Sequence, residues 1–198
     1  MLAGMQDPPR PVRAFTAIEL PDPVRDALVR VQGKLKRAHA RVGWTAPDNL
    51  HLTLVFLGDI PADRIEAAAE ALDAAAGTIP PFRFQAAGLG AFGSPHRPRV
   101  VWAAIPDPPP ALMALHQALC DRFGEAGFAR EDRPFHPHVT LGRVRGPQGV
   151  TQLTSAMASA NNSEFGEVSV HRVVLMHSRL AAQGPRYTIM RESPLKGS

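Results

Sequence analysis

Apolar and polar positions alternate along two short stretches of the chain, His51-Leu52-Thr53-Leu54 and His138-Val139-Thr140-Leu141. Such alternation marks a half-buried β-strand, because successive side chains leave a strand on opposite faces. It sets His51 and Thr53 on one face with Leu52, Leu54 and Phe56 on the other, and His138 and Thr140 in front of Val139 and Leu141. Upstream, Arg13 to Leu20 predicts a strand, and Pro21-Asp22-Pro23 opens a helix from Val24 to about Ala38. Proline suits a helix start because its missing N–H would be unpaired there anyway. The strand of His51 ends at Gly58-Asp59, a helix follows from Ala62 to Ala76 on the spacing of Ile65, Ala68, Ala69 and Leu72, and a strand covers Phe82 to about Ala87.

The order then recurs. A strand from Arg99 to Ile105 leads into Pro106-Asp107-Pro108, a helix near Ala111 to Phe128 and the strand of His138. A weaker helix near Thr151 to Ala160 precedes strands near Val168 to Met176 and Arg186 to Met190. His51 and His138 lie 87 positions apart, as do Ala17 and Ala104, and the two Pro-Asp-Pro turns lie 85 apart. Matching order and spacing read as an internal repeat, about 13–89 and 99–176. Alternating strands and helices would also suit a parallel doubly wound sheet, but Gly184-Pro185 between the last two strands predicts an antiparallel hairpin. The expected fold class is α+β: one bilobal domain over 1–198 with two pseudo-symmetric lobes, each a small antiparallel sheet backed by helices. A central groove between them carries both His-x-Thr motifs. The ordered core is expected at about 11–192, with Met1 to Arg10 and Ser193 to Ser198 as unstructured extensions.

Charge adds a partner class. A net charge of +4 and a sequence pI near 10.0 favour polyanions. The basic residues are mostly arginine, which grips phosphate bidentately, with lysine only at Lys34, Lys36 and Lys196. Cys120 is the single cysteine, which excludes an intramolecular disulfide and a thiolate metal cluster, and its apolar helical setting predicts a core position. No signal sequence and no membrane-spanning run is read, so a cytoplasmic monomer is expected.

The repeated pair carries the chemistry. Histidine exchanges protons near neutrality, and in-line attack on phosphorus needs a base for the entering water and an acid for the leaving oxygen. Two threonine hydroxyls can donate to the non-bridging oxygens whose charge must be held in the transition state. A rival reading takes His136-Pro137-His138, with His51, as metal ligands; no carboxylate or cysteine stands at ligand spacing, and the threonines would then have no role. The letters Gly88-Leu89-Gly90-Ala91-Phe92-Gly93 resemble a dinucleotide loop, but Pro95 and Pro98 oppose the helix such a loop must enter, so a turn is expected. His39, His96, His116, His171 and His177 have no repeat partner and are read as structural or surface residues. Phe15, Phe56 and Trp44 are of a kind that stacks on bases, and His136 would line the groove. Alternation turns Arg143 away from His138, and only a bulge near Gly142 would bring it to a phosphate.

Taken together, these residues resemble the two-histidine phosphoesterases, and within them the RNA 2′,3′-cyclic phosphodiesterases, also called 2′-5′ RNA ligases. The resemblance runs through Arg13-Ala14-Phe15-Thr16-Ala17-Ile18, Asn49 to Gly58, Gly88 to Phe92, Arg99-Val100-Val101-Trp102, Arg133 to Leu141, Ser178-Arg179-Leu180 and Tyr187. It implies a catalytic tetrad of His51, Thr53, His138 and Thr140, no metal or other cofactor, and an RNA partner ending in a 2′,3′-cyclic phosphate that is opened to a 2′-phosphomonoester. It leaves room for reverse 2′-5′ ligation. His51 as acid and His138 as base is the favoured assignment, which pseudo-symmetry leaves open. The alternatives are an RNA- or nucleotide-binding protein without turnover, and an enzyme of this type acting on 2′-5′ oligonucleotides or a cyclic ADP-ribose phosphate.

Overall fold

The computed structural model describes residues 11–129, 133–181 and 184–197. In chain order these form β1 (Val12–Glu19), α1 (Asp22–Lys36), β2 (Val42–Trp44), β3 (His51–Ile60), α2 (Ile65–Ala76), β4 (Phe82–Ala87), β5 (Leu89–Ser94), β6 (Arg97–Ala104), α3 (Pro110–Glu125), β7 (His138–Val144), α4 (Val150–Ser159), β8 (Glu164–Val170), β9 (Arg172–Ala181) and β10 (Gly184–Pro194). Prolines start α1 and α3. Each helix then buries one stripe at helical spacing, Val24, Leu28, Val31 and Leu35 in α1 and Leu112, Leu115, Leu119 and Phe123 in α3.

Eight strands form one sheet in the order β10-β9-β1-β3-β7-β6-β5, with β2 paired to the far end of β7. All of these pairings are antiparallel. The sheet is two half-sheets, β10-β9-β1-β3 and β7-β6-β5 with β2, joined among the described residues only where Leu52 pairs with Val139. The C-terminal hairpin β9–β10 thus completes the first lobe, although it follows the second lobe in sequence. Strand β4 of the first half and β8 of the second pair in a separate two-stranded ribbon. One face of the large sheet is sealed: Ile18, Leu52, Leu54, Val101, Ala103, Val139 and Leu141 share a core with helix residues such as Leu28, Leu72, Leu115 and Leu153. The other face is left for the two His-x-Thr pairs.

Several expectations are corrected. Leu89 to Gly93 is not a turn but most of β5, hydrogen-bonded to β6, and the tight turn lies at Pro95-His96. The stretch read as one strand from Val168 to Met176 is two strands, broken at His171, where the chain leaves the ribbon for the main sheet. Strand β2, three residues long, is too short to show a period. Thr53 pairs with Ala17 and Thr140 with Trp102, so the first strand of each half repeats at 85 positions, in step with the Pro-Asp-Pro turns. The tail is packed through Gly197: Ser193 is buried and bonds Asp73, Leu195 is buried, the Leu195 N–H donates to His171 O at 2.8 Å and the Gly197 N–H to Ile79 O at 3.0 Å. Residues 1–10 lie outside the described residues. Cys120 is half-buried at the core's edge, its Sγ 3.6 Å from His116 Nε2.

Candidate active site

The Leu52–Val139 pairing sets the site. In an antiparallel pair registered there, His51 stands opposite Thr140 and Thr53 opposite His138, all four on the face away from the helices. Each ring is held from behind in the same way. His51 Nδ1–H donates to Asn49 O at 2.8 Å, and His138 Nδ1–H donates to His136 O at 2.6 Å. Asn49 and His136 are themselves 87 positions apart. A donor fixed at Nδ1 leaves Nε2 of each neutral ring as the free acceptor. The Thr53 hydroxyl occupies that acceptor on His51 at 2.8 Å. Asn49 also fastens the C-terminal hairpin, its Nδ2 donating to Pro185 O at 2.7 Å.

Aromatic rings wall both histidines. The His51 ring lies 5.0 Å from Phe15, stacked, and 5.3 Å from Tyr187, edge-on. The His138 ring lies 4.8 Å from Phe92, edge-on, and 6.1 Å from Trp102. His136 turns its ring to Trp102 and Phe92, at 5.1 and 5.7 Å. Trp102 occupies the space a side chain at residue 90 would take, since a Cβ on Gly90 would overlap its indole. Phe15, Ala17, Val174 and Met176 form a small second core on this face, with Tyr187 and Ile189 packed against it.

Two β-bulges decide what else faces the groove. Phe15 and Thr16 pair with Phe56 and Val55, but Ala17 pairs with Thr53, so Leu54 is an extra residue in β3. Likewise Val101 pairs with Gly142 and Trp102 with Thr140, so Leu141 is extra in β7. An extra residue inverts the alternation beyond it. Leu54 and Val55 are therefore both buried, as are Leu141 and Gly142, and the next residues, Phe56 and Arg143, are exposed. This corrects the strict alternation that put Phe56 with Leu52 and Leu54: Phe56 joins the His51 face and lies 5.8 Å from the Phe15 ring. Arg143 comes round to the groove, close enough for its charge to act on both His138 and Tyr187. A buried polar side chain pins each bulge. Thr16 Oγ1 accepts the Val55 N–H at 3.1 Å, and Gln32 Nε2 donates to Leu141 O at 2.8 Å and to Thr45 O at 2.9 Å.

Burial dominates the electrostatics. It lowers the His51 pKa from 6.5 to about 4 against the opposing pull of Asn49 O, with His138 adding repulsion. Burial also lowers His138 against the opposing pull of His136 O, and the His136 ring and the Arg143 charge lower it further. Burial raises Tyr187, which Arg143 and Arg13 partly offset. At neutral pH both imidazoles of the free protein are neutral bases aimed at one groove. Among the described residues no three His, Cys, Asp or Glu side chains are grouped to hold a metal ion, and the His136 and His138 ring centroids are 6.4 Å apart.

Of the residues singled out in the sequence, His51, Thr53, His138, Thr140, Phe15, Phe56, His136 and Arg143 lie on or beside this face. Trp44, on β2, packs against the main core instead. Sequence reasoning gives no site role to Asn49, Phe92, Trp102, Thr16 or Gln32. The repeat offset links Asn49 to His136, and strand alternation leads to Phe92 and Trp102. Gln32 gives no such signal, being one polar residue inside an apolar helix stripe.

A family model described as the 2′-5′ RNA ligase superfamily matches residues 20–181. The RNA 2′,3′-cyclic phosphodiesterase of Methanothermobacter thermautotrophicus is 36% identical over 179 residues, covering 90% of this chain and 96% of that protein. The fold is similar to the crystal structure of TT0787 of Thermus thermophilus, with a TM-score of 0.78 and 31% identity over 93% of this chain and 98% of that one. It is also similar to Escherichia coli LigT complexed with 3′-AMP, with a TM-score of 0.70 and 29% identity over 94% of this chain and 98% of that one. Two histidines backed by carbonyls at matching positions, on strands joined at a single pair, are what this chain brings to that kinship: it belongs to the 2′-5′ RNA ligase superfamily of two-histidine phosphoesterases.

Proposed function

We propose that this chain hydrolyses the terminal 2′,3′-cyclic phosphate of RNA to a 2′-phosphomonoester, without a metal ion, by paired-histidine acid–base catalysis. The observation that carries the reading is the presentation of two neutral imidazoles on one face, each with Nδ1 anchored to a carbonyl and Nε2 turned to the groove, where on His51 it holds the Thr53 hydroxyl. In-line displacement at phosphorus needs a base and an acid on opposite sides of the phosphate, and strands meeting at Leu52–Val139 supply one from each lobe. His138 is the base. It is less enclosed than His51 and so better placed to meet a water, whose proton it takes at Nε2 as the new P–O bond forms. His51 is the acid and protonates the 3′ oxygen as the P–O3′ bond breaks.

Burial disfavours a proton on His51 in the free protein, and the bound phosphodiester anion restores it by placing a negative charge beside the ring. The hydroxyls of Thr53 and Thr140 donate to the non-bridging oxygens, so Thr53 must leave the His51 Nε2 it occupies when the groove is empty. Arg143 adds positive charge at the same phosphate, and the exposed Phe56 offers stacking surface to the terminal base. Phe15, read in the sequence as a stacking residue, is buried behind His51 and supports the wall instead. The chain works as a cytoplasmic monomer, and a 5′-hydroxyl entering in place of water would give 2′-5′ ligation.

The test is hydrolysis of a short RNA ending in a 2′,3′-cyclic phosphate by the wild type and His138→Ala, each with EDTA. EDTA-resistant formation of a 2′-phosphate by the wild type, with a drop of about 10²- to 10⁴-fold in the variant, is the expected result. No turnover by a folded wild type would leave a binding protein, and loss of activity in EDTA would return the metal reading.

A further inference from the structure

Five arginines of this chain are held by acidic partners, and among the described residues three beside the groove are not. Arg25, Arg83, Arg122, Arg172 and Arg191 each meet a carboxylate: Asp22, Glu167, Glu125, Glu19 and Glu66 respectively. Arg41, Arg143 and Arg145 meet none among the described residues, for a reason written in the sequence. Residues 27–47 and 133–163 contain no Asp or Glu. These two stretches lie against each other: β2 pairs with the end of β7, the Arg145 N–H donates to Arg41 O at 2.7 Å, and the Arg41 N–H donates to Gln148 O at 3.3 Å.

Arg143 and Arg145 share one face, and Arg41 lies beside Arg145. Gly43 is registered against Arg143, so residue 43 points to the Arg143 side of the sheet. The place its Cβ would take is filled by Arg145, whose Nε lies 2.5 Å from it. Glycine at 43 thus seats the Arg145 guanidinium between β2 and β7, on the same face as Arg143. Arg41 stands just before β2, its carbonyl bonded to the Arg145 N–H and its stem 3.5 Å from where a Cβ on Gly146 would lie. All three are exposed. From the phosphate at His138, positive charge continues outward through Arg143 to Arg145, in a step of roughly 6.8 Å along the strand, and across to Arg41.

We infer that Arg145 and Arg41, following Arg143, form a track that binds the backbone phosphates of the RNA strand leading to the cyclic end. The inference rests on the reaction proposed above and adds what that reaction alone does not supply, a preference for an RNA chain over a single nucleotide. Unpaired arginines on an acid-free surface favour phosphate by counterion release and bidentate hydrogen bonding. With no base edge involved, the track reads length and not sequence.

The experiment compares the wild type with the double variant Arg41→Ala/Arg145→Ala on two substrates, cytidine 2′,3′-cyclic monophosphate and a single-stranded RNA with the same end, at several salt concentrations. Arg83→Ala, on the ribbon, is the control for loss of surface charge. In the double variant kcat/KM is expected to fall at least about tenfold more for the RNA than for the mononucleotide. The slope of log kcat/KM against log salt for the RNA should become shallower by about 1.4, at about 0.7 for each phosphate no longer neutralised. Equal losses on both substrates, or an unchanged salt slope in a folded double variant, would overturn the track. If the wild type hydrolyses neither substrate, the proposed reaction fails. Fluorescence anisotropy of the same RNA carrying a 2′-phosphate then reads the track by the same salt-slope criterion.

Discussion

The side-chain amide of Gln32 donates to the carbonyl of Leu141 at 2.8 Å, at the one residue by which β7 outruns β6. Gln32 is buried in α1, on the sealed side of the sheet, yet its bond governs the open side. A bulge leaves a carbonyl out of the ladder, and a buried carbonyl needs a donor; Gln32 and the Thr45 N–H, at 2.9 Å, both serve it. With the bulge held, the chain beyond Leu141 reverses its parity and Arg143 faces His138. The first lobe solves the same problem from the neighbouring strand, with Thr16 bonded to the Val55 N–H. The two halves therefore share a geometry that is supported differently in each.

Gln32→Leu keeps the volume and removes the donor. Thr45 O loses its Gln32 partner and Leu141 O retains one of two, which should lower stability by about 1–3 kcal/mol. Since Arg143 depends on the bulge, kcat/KM should fall roughly tenfold or more even where the variant is fully folded. Urea unfolding and steady-state kinetics on one preparation would check this. Lost stability with unchanged kcat/KM would mean that the bulge holds without the amide.

Gly90→Ala tests the second lobe's aromatic wall. Trp102 has its Nε1 buried without a hydrogen-bond partner among the described residues, so shape alone holds the ring. A Cβ at residue 90 would enter the indole, and the ring must swing out or β5 must part from β6. Overpacking of this kind costs about 1–3 kcal/mol. The expected outcome is a lowered Tm, a shifted Trp102 emission and reduced activity, because Trp102 and Phe92 flank His138. Normal emission and activity would show that the ring has room to give.

Much of this is legible in the chain, and the parts that are not have physical reasons. Alternation in β3 and β7 identifies both His-x-Thr faces because one side of the sheet is sealed by helices and must be apolar. It fails at Phe56, since a bulge is set by tertiary bonds from Thr16 and leaves no mark on the pattern of β3 itself. Gly88 to Gly93 looks like a turn because glycine is plentiful there. Gly90 is needed for a close approach by Trp102, and Gly88 and Gly93 take positive φ at either end of β5. The repeat is visible, but not that β9 and β10 join the first lobe, since sequence order does not state which edge a hairpin covers. The tail reads as free because Leu195 is a single apolar residue, too little for a pattern and enough for an anchor.

The shifted histidine makes stability depend on pH with a definite sign. The unfolded chain takes a proton at residue 51 near 6.5, and the folded chain only near 4. Stability from keeping this ring neutral is fully present above 6.5 and is lost as pH falls from 6.5 through about 4. Over that window each extra proton on the unfolded state costs about 1.4 kcal/mol per pH unit. His51→Gln removes the titration, so its unfolding free energy should decline less than the wild type's between neutral pH and pH 5. Parallel curves would show that the ring is charged in the folded protein and that burial does not set its pKa.

The assignment of acid and base can be separated by changing the leaving atom. If His51 protonates the departing 3′ oxygen, its loss should matter little when that atom leaves readily as an anion. Sulfur in place of the 3′ bridging oxygen does this, since a thiol ionises near 8.5 and far more easily than a sugar hydroxyl. His51→Ala should then be impaired about 10²- to 10⁴-fold on the oxygen substrate and recover most of that loss on the sulfur one. His138→Ala should stay impaired on both, because water still has to surrender a proton. Rescue of His138→Ala instead would reverse the roles and place the base at the more enclosed ring, beside Tyr187. Rescue of neither would mean that both histidines act chiefly by binding the phosphate, and that proton transfer is not what the anchored Nδ1 atoms prepare them for.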